Sequence, residues 1–150
     1  MLKIEPFIID HIEDILDMAK QLHRESPHYC KFPFSIEKTS KIAQHVINMG
    51  GGFMATLDGM PIGMAAGILA EHFFSYEMYA TDITIYVKPE HRGGTAAIRL
   101  IKALEKWAFD NGAKEVILGV STQISSPRTV CLYERLGYKI QSSALYKSKE

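Results

Sequence analysis

The chain has 150 residues, 47% of them hydrophobic and 23% charged, which fits one soluble globular domain spanning 1–150 and leaves no room for a second useful core. Seventeen Lys and Arg balance seventeen Asp and Glu, so no global field draws the chain to nucleic acid or an anionic membrane. Any anionic ligand must then be held by a local device. The longest apolar run, Met60 to Ala70, carries Pro61, Gly63 and Gly67 and falls short of the ~20 residues a bilayer requires. Glu5, Asp10, Glu13 and Asp14 break any secretory apolar core near the start, and Cys30 and Cys131 make no disulfide framework. A reduced, cytoplasmic protein is expected.

Leu2 to Ile9 reads as a strand, and Pro6 puts it at a sheet edge. Asp10 with Glu13 forms a capping-box pattern before an apolar stripe at Ile12, Ile15, Leu16, Ala19 and Leu22, a helix that Ser26-Pro27 ends. An aromatic loop, Tyr29 to Phe34, follows. Ser35 caps a second helix, with Thr39, Ile42, Ala43, Val46 and Ile47 inward, and Gly50-Gly51-Gly52 stops it. Phe53 to Leu57, Asp58-Gly59 and Ile62 to Leu69 read as a hairpin with a type I′ turn. Ile83, Ile85 and Val87 alternate with Asp82, Thr84 and Tyr86 in a strand over Glu77 to Val87, a pattern that places Asp82 on one face with Thr84 and Tyr86. The spacing of Ala97, Leu100, Ile101, Leu104 and Ala108 predicts a helix over 94–109, closed by Asn111-Gly112. Val116 to Val120 has the continuous apolar run of a buried parallel strand. A helix over 127–136 and a last strand from Tyr138 to Tyr146 complete a mixed α/β pattern with a partly antiparallel sheet.

The junction Val87-Lys88-Pro89-Glu90-His91-Arg92-Gly93-Gly94-Thr95-Ala96-Ala97 runs a strand through a glycine turn into a long helix. Backbone N–H groups at a helix start lack intrahelical partners, and the helix dipole adds about half a positive charge there. Gly93 and Gly94 remove the side chains that would hold an anion off, and Arg92 adds a planar donor fork suited to phosphate oxygens. These residues describe a pyrophosphate cradle. They also fit an ordinary strand-to-helix turn with an exposed Arg. Gly-x-Gly-x-x-Gly is absent, and no Gly-Lys-Ser or Gly-Lys-Thr follows.

Val87-Lys88-Pro89-Glu90, followed by Arg92 and Ala97, resembles the pyrophosphate motif of the Gcn5-related N-acetyltransferase (GNAT) family, Gln/Arg-x-x-Gly-x-Gly/Ala after a strand ending Val-x-Pro-Glu/Asp. Thr95 stands at the middle glycine position, and Gly94 lies one residue earlier. Leu132-Tyr133-Glu134-Arg135-Leu136-Gly137-Tyr138 is similar to the family's Leu-Tyr-Glu-Lys-Leu-Gly-Phe, with Ser126 where the family has Asn and Thr129 where it has Ala. The resemblance implies a mostly antiparallel sheet with two splayed central parallel strands, Asp82 to Val87 and Val116 to Val120, and flanking helices. It implies acetyl coenzyme A between them as cosubstrate, with backbone contacts at Ile85 and Val87. The amides of Gly93, Gly94, Thr95, Ala96 and Ala97, with Arg92, would take the pyrophosphate, and Ser126 joins the cofactor-binding set.

The resemblance further places Tyr133 beside the thioester sulfur. Full transfer of its proton to a thiolate is uphill by roughly 2 kcal/mol from reference pKa values, so a hydrogen bond to the departing sulfur is its expected work. Asp82 stands where many relatives carry a strand Glu and is the expected base, acting through water; Glu77 and His72 are weaker candidates. The expected reaction is acetyl transfer to a primary amine of a small molecule or protein by direct attack in a ternary complex. The alternative is a catalytically idle acyl-coenzyme A-binding or interaction module, to which Thr95, Ser126 and the short Asp82 also point. Relatives are often dimers, which extends the expectation to a homodimer. The six His lack ligand spacing, so no metal is expected; Cys131 reads as a buried structural thiol and Trp107 as packing. The aromatic loop fits an acceptor pocket or a dimer contact equally.

Overall fold

The computed structural model of the protein describes residues 1–149. Strand β1 (Leu2–Pro6) leads into helix α1 (Ile12–Glu25), and helix α2 (Ile36–Met49) returns the chain to strands β2 (Gly52–Leu57), β3 (Met60–Glu71) and β4 (Met78–Val87). Helix α3 (Ala96–Asp110), strand β5 (Ala113–Ile117) and helix α4 (Ser126–Arg135) follow. The strands lie in sequence order in one sheet, antiparallel from β1 to β4 and parallel between β4 and β5.

Local chemistry accounts for most boundaries. Ser35 Oγ accepts the Lys38 N–H at 3.1 Å and starts α2, while Gly50 at φ 80° stops it. Asp58 and Gly59, both at positive φ, make the tight turn between β2 and β3. Before α1 the predicted Asp10–Glu13 box does not form: His11 Nδ1 accepts the Ile8 N–H at 3.0 Å, because a single 3-10 turn over Ile9–His11 precedes the helix.

Helices α1 and α2 cover one face of the sheet, burying Met18 and Val46 against Met54, Met64, Ala66 and Tyr86. Helix α3 covers the other, with Leu100 and Ala96 against Ala55, Ile62, Ala65 and Val87. Trp107 packs as expected, lying over Gly51. A Cβ on Gly51 would come 2.5 Å from the Gly67 carbonyl oxygen and 2.8 Å from Trp107 Cη2, and the backbone cannot yield because the Gly67 N–H already donates to the Gly51 carbonyl at 2.8 Å. Gly51→Ala is therefore expected to cost about 3 kcal/mol, read as a fall of roughly 6–12 °C in thermal melting; an unchanged Tm contradicts this packing.

Three further expectations change. Strand β5 starts and ends three residues earlier than 116–120, because Gly112 at φ 92° turns the chain directly into it. The predicted strand Tyr138–Tyr146 does not form: Ile140 and Leu145 stay exposed and gain no buried face, and the Tyr146 ring instead lies tilted against His28, ring centroids 5.1 Å apart. Cys131, expected buried, is exposed, as is Cys30.

Candidate active site

Strand β4 carries an extra residue. Ala66 pairs with Thr84 and Gly67 with Asp82, leaving Ile83 without a partner in a β-bulge. The bulge breaks the alternation, so Asp82 does not share a face with Thr84 and Tyr86. Gly67 faces α3, since a Cβ there would lie 2.8 Å from Leu104 Cδ1, and Asp82 beside it keeps that face. Thr84 and Tyr86 turn toward α1 and α2.

At the same place β4 parts from β5. Their ladder runs from Met78↔Ala113 to Thr81↔Ile117 and ends there. Lys88 N–H donates to the Ile62 carbonyl at 2.8 Å on the β3 side, so strand alternation turns the backbone groups of Ile85 and Val87 toward the opened gap. Asp82 Oδ1 accepts the Gly119 N–H at 2.9 Å and pins the start of the diverging segment. The segment after β5 is also tied to the loop after α1: Ser26 Oγ donates to the Thr122 carbonyl at 2.5 Å, and Tyr29 Oη lies 2.6 Å from Ser121 Oγ. One end of the gap thus has a fixed rim.

Beyond Val87 a single turn at Pro89–His91 leads to Gly93, at φ 94°, a left-handed backbone that glycine adopts without strain. Among the described residues, the N–H groups of Gly93, Gly94, Thr95, Ala96 and Ala97 have no backbone or side-chain acceptor. They form a ring of free donors at the N-terminus of α3. Arg92 does not point its fork into this ring. Its two terminal nitrogens each lie 2.6 Å from a Glu25 carboxylate oxygen, its Nε donates to the Val87 carbonyl at 2.8 Å, and its guanidinium sits 5.4 Å from the centre of the Tyr86 ring. Glu25 holds the Arg92 proton more firmly than usual, and the pair fastens the end of α1 to the glycine turn. Val87 therefore has a free N–H toward the gap, while its carbonyl is taken by Arg92.

Removing either charge leaves the other half-buried without its partner. Glu25→Gln and Arg92→Ala are each expected to cost about 1–2 kcal/mol, or roughly 2–8 °C in Tm. The double variant should cost no more than the worse single one, and additive losses would show that the pair is not the contact that matters.

Sequence reading missed Glu25, whose partner is 67 positions away, and it missed Arg128. A Cβ on Gly93 would lie 3.8 Å from an Arg128 terminal nitrogen, so this side chain on the first turns of α4 hangs over the glycine turn. Among the described residues it makes no ion pair or hydrogen bond. Ser126 opens the same helix, after Ser125 at φ 47°, and its side chain is likewise unbonded.

Tyr133 is buried on α4, and burial pushes its hydroxyl pKa well up, with the Asp82 carboxylate nearby adding to the rise. Tyr133 thus keeps its proton and faces the same space as Asp82. No protein group among the described residues accepts from its hydroxyl. Tyr138, 5.9 Å away between ring centroids, is already committed to Glu105 at 3.0 Å. Burial also raises the Asp82 pKa, and the Gly119 N–H opposes that rise. The two weaker base candidates are elsewhere: His72 lies 3.5 Å from Glu115 and Glu77 4.0 Å from Lys114, at the closed end of the β4–β5 pair.

The profile of the Acetyltransferase (GNAT) family matches residues 13–138, nearly the whole chain. The chain belongs to the GNAT acetyltransferase family. Its fold agrees. The aminoglycoside acetyltransferase AAC(6')-Iy, solved with the bisubstrate analog CoA-S-monomethyl-acetylneamine, superposes on this GNAT chain with a TM-score of 0.78 at 19% identity, covering 100% of this chain and 99% of that one. An acetyltransferase from Pyrococcus furiosus described as putative gives 0.74 at 22% identity over 99% and 100%. A ribosomal-protein-alanine N-acetyltransferase from Brucella melitensis biovar Abortus 2308 gives 0.74 at 17% over 100% of both. Sequence comparison with curated proteins finds no match. No helix of the described residues is long and apolar enough to cross a membrane.

Proposed function

We propose that this GNAT chain is an N-acetyltransferase that moves the acetyl group of acetyl coenzyme A to a primary amine by direct attack in a ternary complex. The observation that carries this reading is the opened β4–β5 gap, with the Ile85 backbone and the Val87 N–H unpaired, lying between a ring of free amides and the unbonded hydroxyl of Tyr133. Coenzyme A complexes among the similar folds support it.

The pantetheine arm would pair along Ile85 and Val87 as an added strand, and the amides of Gly93 to Ala97 would take the pyrophosphate. Arg92 shapes that turn through Glu25, and Arg128 supplies the unpaired charge. Arg128→Ala is expected to raise the KM for acetyl coenzyme A about five- to tenfold with Tm unchanged, whereas Arg92→Ala lowers Tm; equal KM values for Arg128→Ala and the parent protein would remove Arg128 from the site. A strand amide polarises the thioester carbonyl, a contribution on the order of 3 kcal/mol. The amine nitrogen bonds to the acetyl carbon, the carbon–sulfur bond breaks, and Tyr133 donates a hydrogen bond to the departing sulfur. The proton lost by the amine passes to Asp82 through water and ends on the thiolate.

Thermal melts with acetyl coenzyme A, coenzyme A and ATP, followed by thiol release over an amine panel, test the reading. Stabilisation by both coenzyme A species but not ATP, with thiol release, is expected. Coenzyme A binding with no turnover on any amine would instead make the chain an idle acyl-coenzyme A-binding module. We place the enzyme in the cytoplasm, as a homodimer, on the family resemblance and its two free thiols.

A further inference from the structure

A second cavity meets the gap from the other face of the sheet. It offers about 360 Å³ between α1, α2 and the sheet, and Ile83 and Thr84, at the bulge where β4 leaves β5, belong to its lining. A molecule seated there would abut the proposed thioester position while Asp82 and Tyr133 act from the opposite side of β4.

The lining is apolar and aromatic: Leu22, Phe32, Phe34, Ile42, Val46 and Met64 set its walls. Among the described residues no Asp, Glu, Lys or Arg lines it. Its few polar groups are mostly committed within the protein. The Thr39 hydroxyl donates to the Ser35 carbonyl at 2.8 Å, His23 Nε2 lies 2.5 Å from the Phe32 carbonyl oxygen, and Tyr29 is held by Ser121. Thr84 Oγ1 alone is buried there without a partner. The loop that walls the cavity is fastened across to the 121–122 segment by Ser26 and Tyr29.

The geometry points to a small monoamine with an apolar alkyl or aryl body as the acceptor, its ring or chain in this cavity and its single amine at the Ile83–Thr84 end. This rests on the acetyltransferase reading above. A polyamine or an amino sugar carries several ammonium groups, each losing its hydration here with no carboxylate to replace it. An apolar body gains from the same walls. This chain therefore parts from the aminoglycoside acetyltransferases whose fold it shares.

The test compares 2-phenylethylamine and n-hexylamine with spermidine, sisomicin and an alanine-headed tetrapeptide, by acetyl coenzyme A-dependent thiol release and by calorimetric binding with and without coenzyme A. The monoamines should show kcat/KM at least tenfold above the other three. Ile42→Glu, at a partly exposed wall position that tolerates a charge, should raise the 2-phenylethylamine KM about tenfold and lower that of spermidine. Preference for spermidine, sisomicin or the peptide overturns the inference. So does coenzyme A binding with no monoamine bound or acetylated, an outcome that leaves the cofactor reading standing. If coenzyme A itself does not bind, the acetyltransferase reading fails, and calorimetry with 2-phenylethylamine alone decides the cavity: binding that Ile42→Glu weakens supports it, and no binding overturns it.

Discussion

Replacing Tyr133 with Phe should lower kcat by about 100-fold while leaving Tm unchanged and the KM for acetyl coenzyme A within about twofold of the parent. The hydroxyl makes no bond within the protein among the described residues, so its removal orphans no partner and costs the fold little. Burial and the Asp82 charge hold its proton in place, which suits a donor and excludes a phenolate base. A hydrogen bond that strengthens as charge builds on sulfur acts on kcat and not on ground-state binding. Steady-state kinetics beside thermal melts give the answer. A rate within threefold of the parent would mean that the sulfur leaves without Tyr133, and a large Tm loss would mean that the ring's setting, not its hydroxyl, was disturbed.

Asp82→Asn comes second, with an expected 10- to 100-fold loss of kcat/KM near neutral pH. Asn can still accept the Gly119 N–H, so the rim of the gap stays pinned while the charge disappears. The two readouts then move in opposite directions. Burial raises the Asp82 pKa in the folded protein, so the folded state holds this proton more tightly than the unfolded chain does. Its contribution to stability is present in acid and is lost as pH rises through the folded-state value. At neutral pH the ionised carboxylate is thus a burden that Asn relieves, and Tm should rise as activity falls. The pH profile gives a further check: the parent should lose activity on acidification through a limb above the usual carboxylate range, and Asp82→Asn should lack that limb. Parallel losses of stability and activity would make Asp82 a structural anchor only.

The same two residues show how much of the site could be read in one dimension. Tyr133 was legible because it sits in a local run, Leu132 to Tyr138, whose helix and Gly137 stop are set by short-range chemistry, and Gly137 does take a positive φ of 96°. Gly93 to Ala97 were legible for the same reason, since free amides at a helix start follow from backbone geometry alone. Asp82 was placed on β4 correctly, but its face was read wrongly. Simple alternation assumes an unbroken ladder, and the unpaired Ile83 shifts the phase by one residue. A bulge answers to the partner strand, here to Gly67 packed against Leu104, and nothing within residues 77–87 announces it.

Arg92 shows the complementary case. Its place in the turn was plain, and its task was not: a guanidinium takes the nearest well-placed carboxylate, and only folding brings Glu25 to it. Arg128 went unnoticed because no local pattern separates a solvated helix cation from one hanging over a glycine turn 35 residues earlier. The strand expected at Tyr138–Tyr146 failed for a related reason, as its apolar residues have the composition of a strand but no face to bury.

Alone, then, the sequence determined what short-range forces determine in this protein: the order of its elements, most of its caps and turns, the amide ring before α3 and the helix that carries Tyr133. Tertiary structure decided which groups meet across the chain. It set the phase of β4, the point where β4 and β5 part, the Glu25–Arg92 tie and the uncharged cavity beyond Ile83. Those depend on contacts between residues tens of positions apart, whose strength comes from burial and charge pairing that exist only once the layers have packed.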